Sequence, residues 1–263
     1  MMNIIKRELK SNLKSLLIWI IALVSITILA SWEFEAFRGN TELVDAMESF
    51  AALFNALGIQ ITDLSLPEGF LSLESIYFYI PLAIYAALLG SSIISKEERD
   101  KTAEYLFTLP VTRKKVLVSK VIVAVLYNII LNLCVVLGAI VAYIRFSPSD
   151  AFYKFILYLS IGLIFIQLVF MSMGMLLASV LKQYKKSGAA ILAYVLGSYL
   201  LFVLIGFAEK IDFLKYITPF KYFEASDMLK GTIHLEYVII SIAIIISSIM
   251  GLFIFYRRRD LYI

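Results

Sequence analysis

Six long runs of apolar residues divide this sequence, and they restrict the fold more than any other feature. Each run is about twenty residues long, the length that an α-helix needs to cross the hydrocarbon core of a bilayer. Hydrophobic residues make up 61% of the chain and charged residues 17%, whereas soluble domains are about half apolar and a quarter charged. We therefore predict an all-α membrane protein with one transmembrane domain, whose spans lie at residues 16–32, 76–94, 121–144, 155–181, 189–207 and 237–256.

The basic residues are concentrated on one side of these predicted spans. Counted by loop, 17 of the 24 Lys and Arg residues fall on the side that holds both termini, and seven fall on the other side. Loops rich in Lys and Arg remain in the cytoplasm, so both termini are predicted to be cytoplasmic. Because the basic residues lie at the ends of spans and not on one soluble face, the pattern favours membrane lipid as a contact and argues against nucleic acid.

Residues 1–14 precede the first span and have amphipathic spacing. Ile5, Leu9 and Leu13 recur at intervals of four, and most of the basic residues lie on other faces. This pattern predicts an interfacial helix. A secretory signal is the alternative interpretation, but the run that follows has no small-x-small cleavage site, and five more spans come after it.

Residues 95–120, between the second and third predicted spans, form the longest charged segment. Asp100 or Thr102 can cap a short helix there. Pro110 ends that helix because it disfavours helical geometry at the preceding residue, and Thr112 supplies a cap for the next helix. The segment therefore predicts a short amphipathic helix on the cytoplasmic membrane surface, suited to docking on a soluble partner.

The sequence contains few of the residue patterns that carry chemistry. It has no G-x-x-x-x-G-K-[ST] phosphate loop, and its one cysteine, Cys134, cannot form an internal disulfide or a cysteine cluster. His234 has no neighbouring set of metal-ligating residues in the sequence. We predict that this chain is not an enzyme by itself and binds no metal or cofactor of its own.

The polar residues inside the predicted spans are uncharged. Asn128 and Asn132 lie four apart on the third span, and Gln167 lies on the fourth. They either line a substrate pathway or form hydrogen bonds between helices. Ion-coupled carriers usually need ionisable groups at depth, which argues against that class. On the other side of the membrane, Pro219 and Gly231 are the start and stop signals of an outer helix at 219–230.

The cytoplasmic segment E-E-R-D-K-T-A-E-Y-L-F-T-L-P-V-T-R-K-K-V-L-V-S-K resembles a pattern of the permeases of the type-2 ABC exporter family. The matching positions are Glu97, Thr102, Glu104, Leu106, Pro110, Val111, Thr112, Arg113, Val116 and Lys120. Asp100 and Lys101 stand where that family commonly has glycine. The resemblance extends over nearly the whole chain and includes P-E-G-F-L-S at 67–72 and T-P-F-x-Y-F at 218–223.

This resemblance implies a type V exporter-like fold with a cytoplasmic coupling helix between spans two and three. It implies a bacterial cell-membrane permease that pairs with a second permease subunit, as a homodimer or a heterodimer, and with a separate ABC ATPase subunit that binds ATP and Mg²⁺. The cargo would be hydrophobic or amphipathic, with antimicrobial or toxin peptides favoured. By this analogy the residues that couple to the ATPase are Glu97, Glu98, Glu104, Tyr105, Leu106, Phe107, Pro110 and Arg113. The alternatives are an ion-coupled secondary transporter and a non-transporting assembly or sensor protein.

Overall fold

The structure is a computed structural model that describes residues 2–50, 53, 64–100, 112–181, 183–207 and 209–258. Its regular elements in these ranges are helices, with no strand among them. They are α1 (Met2–Phe37), α2 (Thr41–Glu48), α3 (Pro67–Glu74), α4 (Ile76–Arg99), α5 (Arg113–Tyr143), α6 (Asp150–Val180), α7 (Tyr184–Phe207), α8 (Ala225–Leu229) and α9 (Leu235–Arg258). Three 3₁₀ helices, at Ile144–Phe146, Glu209–Tyr216 and Pro219–Lys221, connect them.

Six helices of the described chain are long and apolar enough to cross a membrane, which confirms the predicted all-α membrane fold. They are α1, α4, α5, α6, α7 and α9. Since the number of crossings is even, α1 begins and α9 ends on the same side of the bundle, which we call the terminal side. The opposite side, which holds α3 and α8, is called the far side.

Helices α4 and α6 form the centre of the bundle, and α9, α7 and α5 pack around them. Glycine allows the central pair to approach closely. A Cβ on Gly90 of α4 would lie under 3.0 Å from the Met171 carbonyl oxygen of α6, and one on Gly174 would lie equally close to the carbonyl oxygen of Ala87. Small residues at such crossings let two backbones come together in a membrane, where apolar side chains gain little by leaving lipid.

Helix α1 is continuous from Met2 to Phe37. Residues 2–14, where the sequence predicted an interfacial helix that leads into the bilayer, are its first turns. Where the predicted interfacial helix meets the first span, at residues 14–16, the chain has neither Gly nor Pro. Nothing local therefore breaks the backbone hydrogen bonds of the helix there. Glu8 is buried on this helix, and its ion-pair partner on α4 is Lys96, whose Nζ lies 3.7 Å from Glu8 Oε2.

On the far side, the predicted outer helix at 219–230 is divided into two short pieces. A 3₁₀ turn covers Pro219–Lys221 and α8 begins at Ala225, with Glu224 between them in an extended conformation. Tyr79 of α4 donates its hydroxyl to the Phe223 carbonyl oxygen at 2.5 Å, so this carbonyl is satisfied outside a helix. The predicted stop is confirmed, since Gly231 follows the end of α8 with a φ of 71°.

Candidate coupling site

The candidate site lies on the terminal side, where α4 ends and α5 begins. Helix α4 ends at Arg99, and α5 starts at Arg113. Thr112 caps α5, because its hydroxyl oxygen accepts a hydrogen bond from the Lys115 backbone N–H at 3.3 Å, as predicted. Residues 101–111 lie outside the described ranges, and this gap includes the predicted coupling residues Glu104, Tyr105, Leu106, Phe107 and Pro110.

A buried ion pair joins the two helices that flank this segment. Lys120 of α5 is completely buried, and Glu97 of α4 is 2% exposed. Lys120 Nζ donates to Glu97 Oε2 at 2.6 Å and also to the Ile93 carbonyl oxygen. A buried ammonium ion is tolerated only where such partners replace its water shell. The pair therefore holds the end of α4 against the beginning of α5.

The ion pair extends to α1 through three further charged residues. Arg7 Nη2 lies 3.5 Å from Glu97 Oε1, and Lys96 Nζ lies 3.7 Å from the buried Glu8 Oε2. Arg7 is also 3.9 Å from Glu8 Oε1. We call Arg7, Glu8, Lys96, Glu97 and Lys120 the charge cluster. It links the start of α1 to both helices that carry the segment 101–111.

Hydrogen bonds in addition to the ion pairs of the charge cluster also hold this junction. Tyr127 of α5 donates its hydroxyl to the Leu9 carbonyl oxygen of α1, and Lys96 donates to the Ser11 hydroxyl. Ser91 of α4 and Ser187 of α7 share a hydrogen bond of 3.0 Å. These hydrogen bonds join α1 to both α4 and α5, and α4 to α7.

The predicted polar residues of the spans lie at the contact of α5 with α6. Asn132 Nδ2 donates to the Ser160 carbonyl oxygen at 2.9 Å, and the Ser160 hydroxyl approaches Asn132 Oδ1 at 3.3 Å. Asn128 Nδ2 donates to the Ala124 carbonyl oxygen on its own helix and faces the Met171 sulfur at 3.2 Å. Both asparagines are buried between helices.

Gln167 of α6 is also buried, but neither of its amide atoms has a hydrogen-bond partner in the described chain. An unpaired amide in a dry interior is costly. Gln167 therefore differs from Asn132, whose amide forms hydrogen bonds with Ser160 on the neighbouring helix.

A second group of buried carboxyls lies on the far side. Every residue of α3 is buried, including Glu68 and Glu74. Glu68 Oε1 accepts a hydrogen bond from the Ser149 hydroxyl at 3.2 Å. Burial raises the pKa of Glu74 to about 9, with smaller contributions from a hydrogen bond and charge repulsion with Glu33. Glu74 is therefore protonated at neutral pH, which removes the cost of burying a charge.

In a comparison with known protein families, residues 2–261 match a family model described as ABC-2 family transporter protein. The chain belongs to the ABC-2 transporter family. A comparison with curated proteins found no match. As an ABC-2 family member with six apolar helices in its described part, the protein is a multi-pass membrane permease subunit of an ABC transporter.

The described coupling residues of the ABC-2 permease differ from one another in how far they are buried. Glu97 is inside the charge cluster, so its side chain does not lie on the surface open to a partner. Glu98 and Arg113 are half-buried at the two ends of the segment 101–111. The sequence interpretation did not assign a coupling role to Arg7, Glu8, Lys96 or Lys120. The motif itself is a signal for Lys120, because Glu97 is its first position and Lys120 is its last.

Proposed function

We propose that this permease subunit exports a hydrophobic or amphipathic substrate from the bacterial cytoplasm, driven by a separate ABC ATPase subunit. A second permease subunit completes the translocation unit. The ATPase contacts the segment 95–120, and ATP-driven closure of the ATPase pair moves this segment. The permease itself contributes no catalytic residue, and ATP and Mg²⁺ bind to the partner ATPase.

The observation that supports this proposal best is the buried pair of Lys120 and Glu97. It ties both ends of the segment 101–111 together, and the charge cluster ties them to α1. A segment attached in this way behaves as a lever, because moving it must move the helices to which its ends are fixed. A loop that only joined two spans would not need three helices connected by ion pairs to the buried carboxylates Glu8 and Glu97.

Two sequence features support the orientation and the division of labour. The excess of Lys and Arg on the terminal side favours a cytoplasmic position for the segment 95–120. The sequence has no phosphate loop, so hydrolysis of ATP is assigned to a partner. Antimicrobial or toxin peptides suit a pathway with uncharged span residues, and we propose this class of cargo.

Co-purification and transport test the proposal together. The chain is purified with a candidate ABC ATPase subunit from the same organism and reconstituted in vesicles. We expect ATP-dependent movement of an amphipathic peptide, and no movement without the ATPase. Transport by the permease alone, driven by an ion gradient, would contradict the proposal and favour a secondary transporter. Failure to bind any ABC ATPase would favour the assembly or sensor class.

Two substitutions in the segment test the docking surface. Glu104→Lys and Tyr105→Ala should leave the permease folded while uncoupling ATP hydrolysis from transport. Lys154→Gln is a matched control, because Lys154 is exposed near the start of α6, on the far side and away from the segment 95–120. Unchanged transport in both variants would remove these residues from the coupling surface.

A further inference from the structure

A pocket with a volume of about 210 Å³ lies on the far side, where α1 ends and where α3 and α6 begin. One water molecule needs roughly 10–15 Å³ of such space, so the pocket has room for a small polar molecule. Its charged side chains are those of Arg38 and Glu68, and Phe34 and Phe146 form its aromatic walls. We call it the far-side pocket.

The carboxylate of Glu68 has one oxygen without a partner. Glu68 is 8% exposed. Its Oε1 accepts a hydrogen bond from the Ser149 hydroxyl at 3.2 Å, and Ser149 also lines the pocket, so the carboxylate lies at the pocket wall. Its Oε2 is buried and has no hydrogen-bond partner in the described chain. A buried carboxylate oxygen without a donor is costly, so a donor that enters the pocket would be favourable there.

The described chain supplies no counter-ion to either charge of the pocket. None of the ion pairs among the described side chains includes Glu68 or Arg38. Residues 51–63, which precede the α3 side of the pocket in the chain, contain no Lys or Arg. The Arg38 guanidinium lies 5.8 Å from the centroid of the Phe146 ring. The pocket therefore combines one negative and one positive side chain that are not paired with each other.

The pocket lies at the level where lipid headgroups are expected. Trp32 is two residues before Phe34 and is 58% exposed, and Ile144 is two residues before Phe146 and is 60% exposed. Both belong to the far ends of helices that can span the membrane, and tryptophan is enriched at the boundary between membrane and water. Arg38 follows the end of α1, where a guanidinium can reach the phosphates of lipids.

We propose that the far-side pocket binds the phosphoethanolamine headgroup of a membrane lipid. The ammonium would donate a hydrogen bond to Glu68 Oε2, and the Arg38 guanidinium would contact the phosphate. The last torsion of a glutamate side chain is soft, so the carboxylate can turn Oε2 to meet the ammonium. A headgroup that carries one charge of each sign is complementary to a pocket that does the same.

The unpartnered oxygen of Glu68 also selects among zwitterionic headgroups. A primary ammonium has three N–H donors, whereas the quaternary ammonium of a choline headgroup has none. Both headgroups carry the same charges, so only the hydrogen bond to Oε2 separates them. An anionic glycerol headgroup has no ammonium and would leave the Glu68 carboxylate without a cation.

A lipid bound in this way would connect α1 with α3. Its headgroup would bridge Arg38 and Glu68, and its acyl chains would lie against the exposed apolar side chains of the spans. The assignment to the outer leaflet rests on the orientation used in the proposed function. The binding itself does not, and it needs neither ATP nor the ATPase. Failure of lipid binding and failure of transport are therefore separate results.

The test measures lipid binding to the chain in detergent micelles by native mass spectrometry. The probes are phosphatidylethanolamine, phosphatidylcholine and phosphatidylglycerol with identical acyl chains. We expect phosphatidylethanolamine to bind about tenfold tighter than either of the others, the effect of one hydrogen bond to a charged group. Glycerophosphoethanolamine, which has the headgroup but no acyl chains, tests the source of the ligand. Binding of this soluble compound as tight as that of the lipid would overturn the assignment to a lipid.

Two variants assign the two contacts separately. Glu68→Gln keeps an oxygen that can accept from Ser149 but removes the charge, so phosphatidylethanolamine binding should weaken about tenfold and the preference over phosphatidylcholine should be lost. Arg38→Gln should weaken the binding of both lipids alike, because both carry the phosphate, and should leave the preference intact. Glu236→Gln, at an exposed position on the same side, is the matched control and should change neither.

The comparison of headgroups on the unmodified chain keeps the proposal testable if Glu68→Gln does not fold. Arg38 is exposed, so its variant should fold in any case. Equal binding of phosphatidylethanolamine and phosphatidylcholine to the unmodified chain would overturn the proposal, as would a preference that persists in Glu68→Gln. Unchanged lipid binding in Arg38→Gln would overturn the contact with the phosphate.

Discussion

Lys120 Nζ lies 2.6 Å from Glu97 Oε2, although 23 residues separate the two in the chain and both are buried. The segment between them carries the predicted contacts with the ATPase. The ion pair therefore closes the base of a loop that is proposed to receive force from outside the membrane. Because the pair is buried, water does not weaken it as it would weaken a surface salt bridge.

Removing one partner of this pair should destabilise the permease strongly. Lys120→Met leaves the buried Glu97 with only Arg7, 3.5 Å away, and Glu97→Met leaves Lys120 buried without a carboxylate, at a cost of about 3–5 kcal/mol. The double variant Glu97→Met with Lys120→Met should be less destabilised than either single variant, because no unpaired charge remains. Thermal unfolding in detergent micelles measures the three midpoints. Additive losses in the double variant would show that the two side chains are not coupled.

The contact of α4 with α6 should not tolerate a larger residue at its glycines. Gly90→Ala and Gly174→Ala place a methyl group against a backbone carbonyl of the facing helix, and we expect losses of about 1–3 kcal/mol or more. Gly197→Ala is the matched control, because no atom lies within 4 Å of its added Cβ. That variant should be neutral or slightly stabilised, as alanine favours a helix. Equal melting temperatures for all three variants would contradict the close packing.

Stability should fall as the pH rises, because of Glu74. Its pKa is raised from 4.5 to about 9 in the folded protein, so the folded state keeps a proton that the unfolded state releases. The stability that the protonated Glu74 contributes to the folded state is fully present below about pH 4.5 and is lost as the pH rises through about 9.

Unfolding midpoints measured between pH 5 and 9 test this sign. Glu74→Gln should flatten the profile, because glutamine stays neutral at every pH. Glu236→Gln, at an exposed position, should keep the original slope. A wild-type profile that rises over this range would contradict the burial of a protonated Glu74.

Asn132 should act in packing and not in transport. Asn132→Leu removes the hydrogen bonds to Ser160, and such bonds between membrane helices contribute about 0.6–1.7 kcal/mol. We expect a small fall in melting temperature with transport retained in proteoliposomes. Loss of transport at unchanged stability would instead place Asn132 on the substrate pathway.

The coarse fold was predictable because the bilayer acts on the sequence directly. A run of about twenty apolar residues has few alternatives to a spanning helix, since every backbone polar group must be satisfied inside the segment. The cap at Thr112 and the stop at Gly231 were predictable for a different reason, because each depends on the local chain: a hydroxyl that accepts from a backbone N–H three residues on, and a glycine that adopts a positive φ. The site was predictable only in part. Glu97 and Lys120 belong to one motif, but nothing in their spacing indicates that they form an ion pair.

The sequence by itself determined the number of spans, the helical class and the position of the charged segment between spans two and three, all of which depend on local chain properties and on the bilayer. Only the tertiary structure decided that Glu8 and Glu74 are buried, that the outer helix is interrupted at Glu224, and that α1 joins the charge cluster. These features depend on which helices become neighbours. Contacts between residues that are distant in the chain produce no periodic sequence pattern, so they cannot be predicted from spacing.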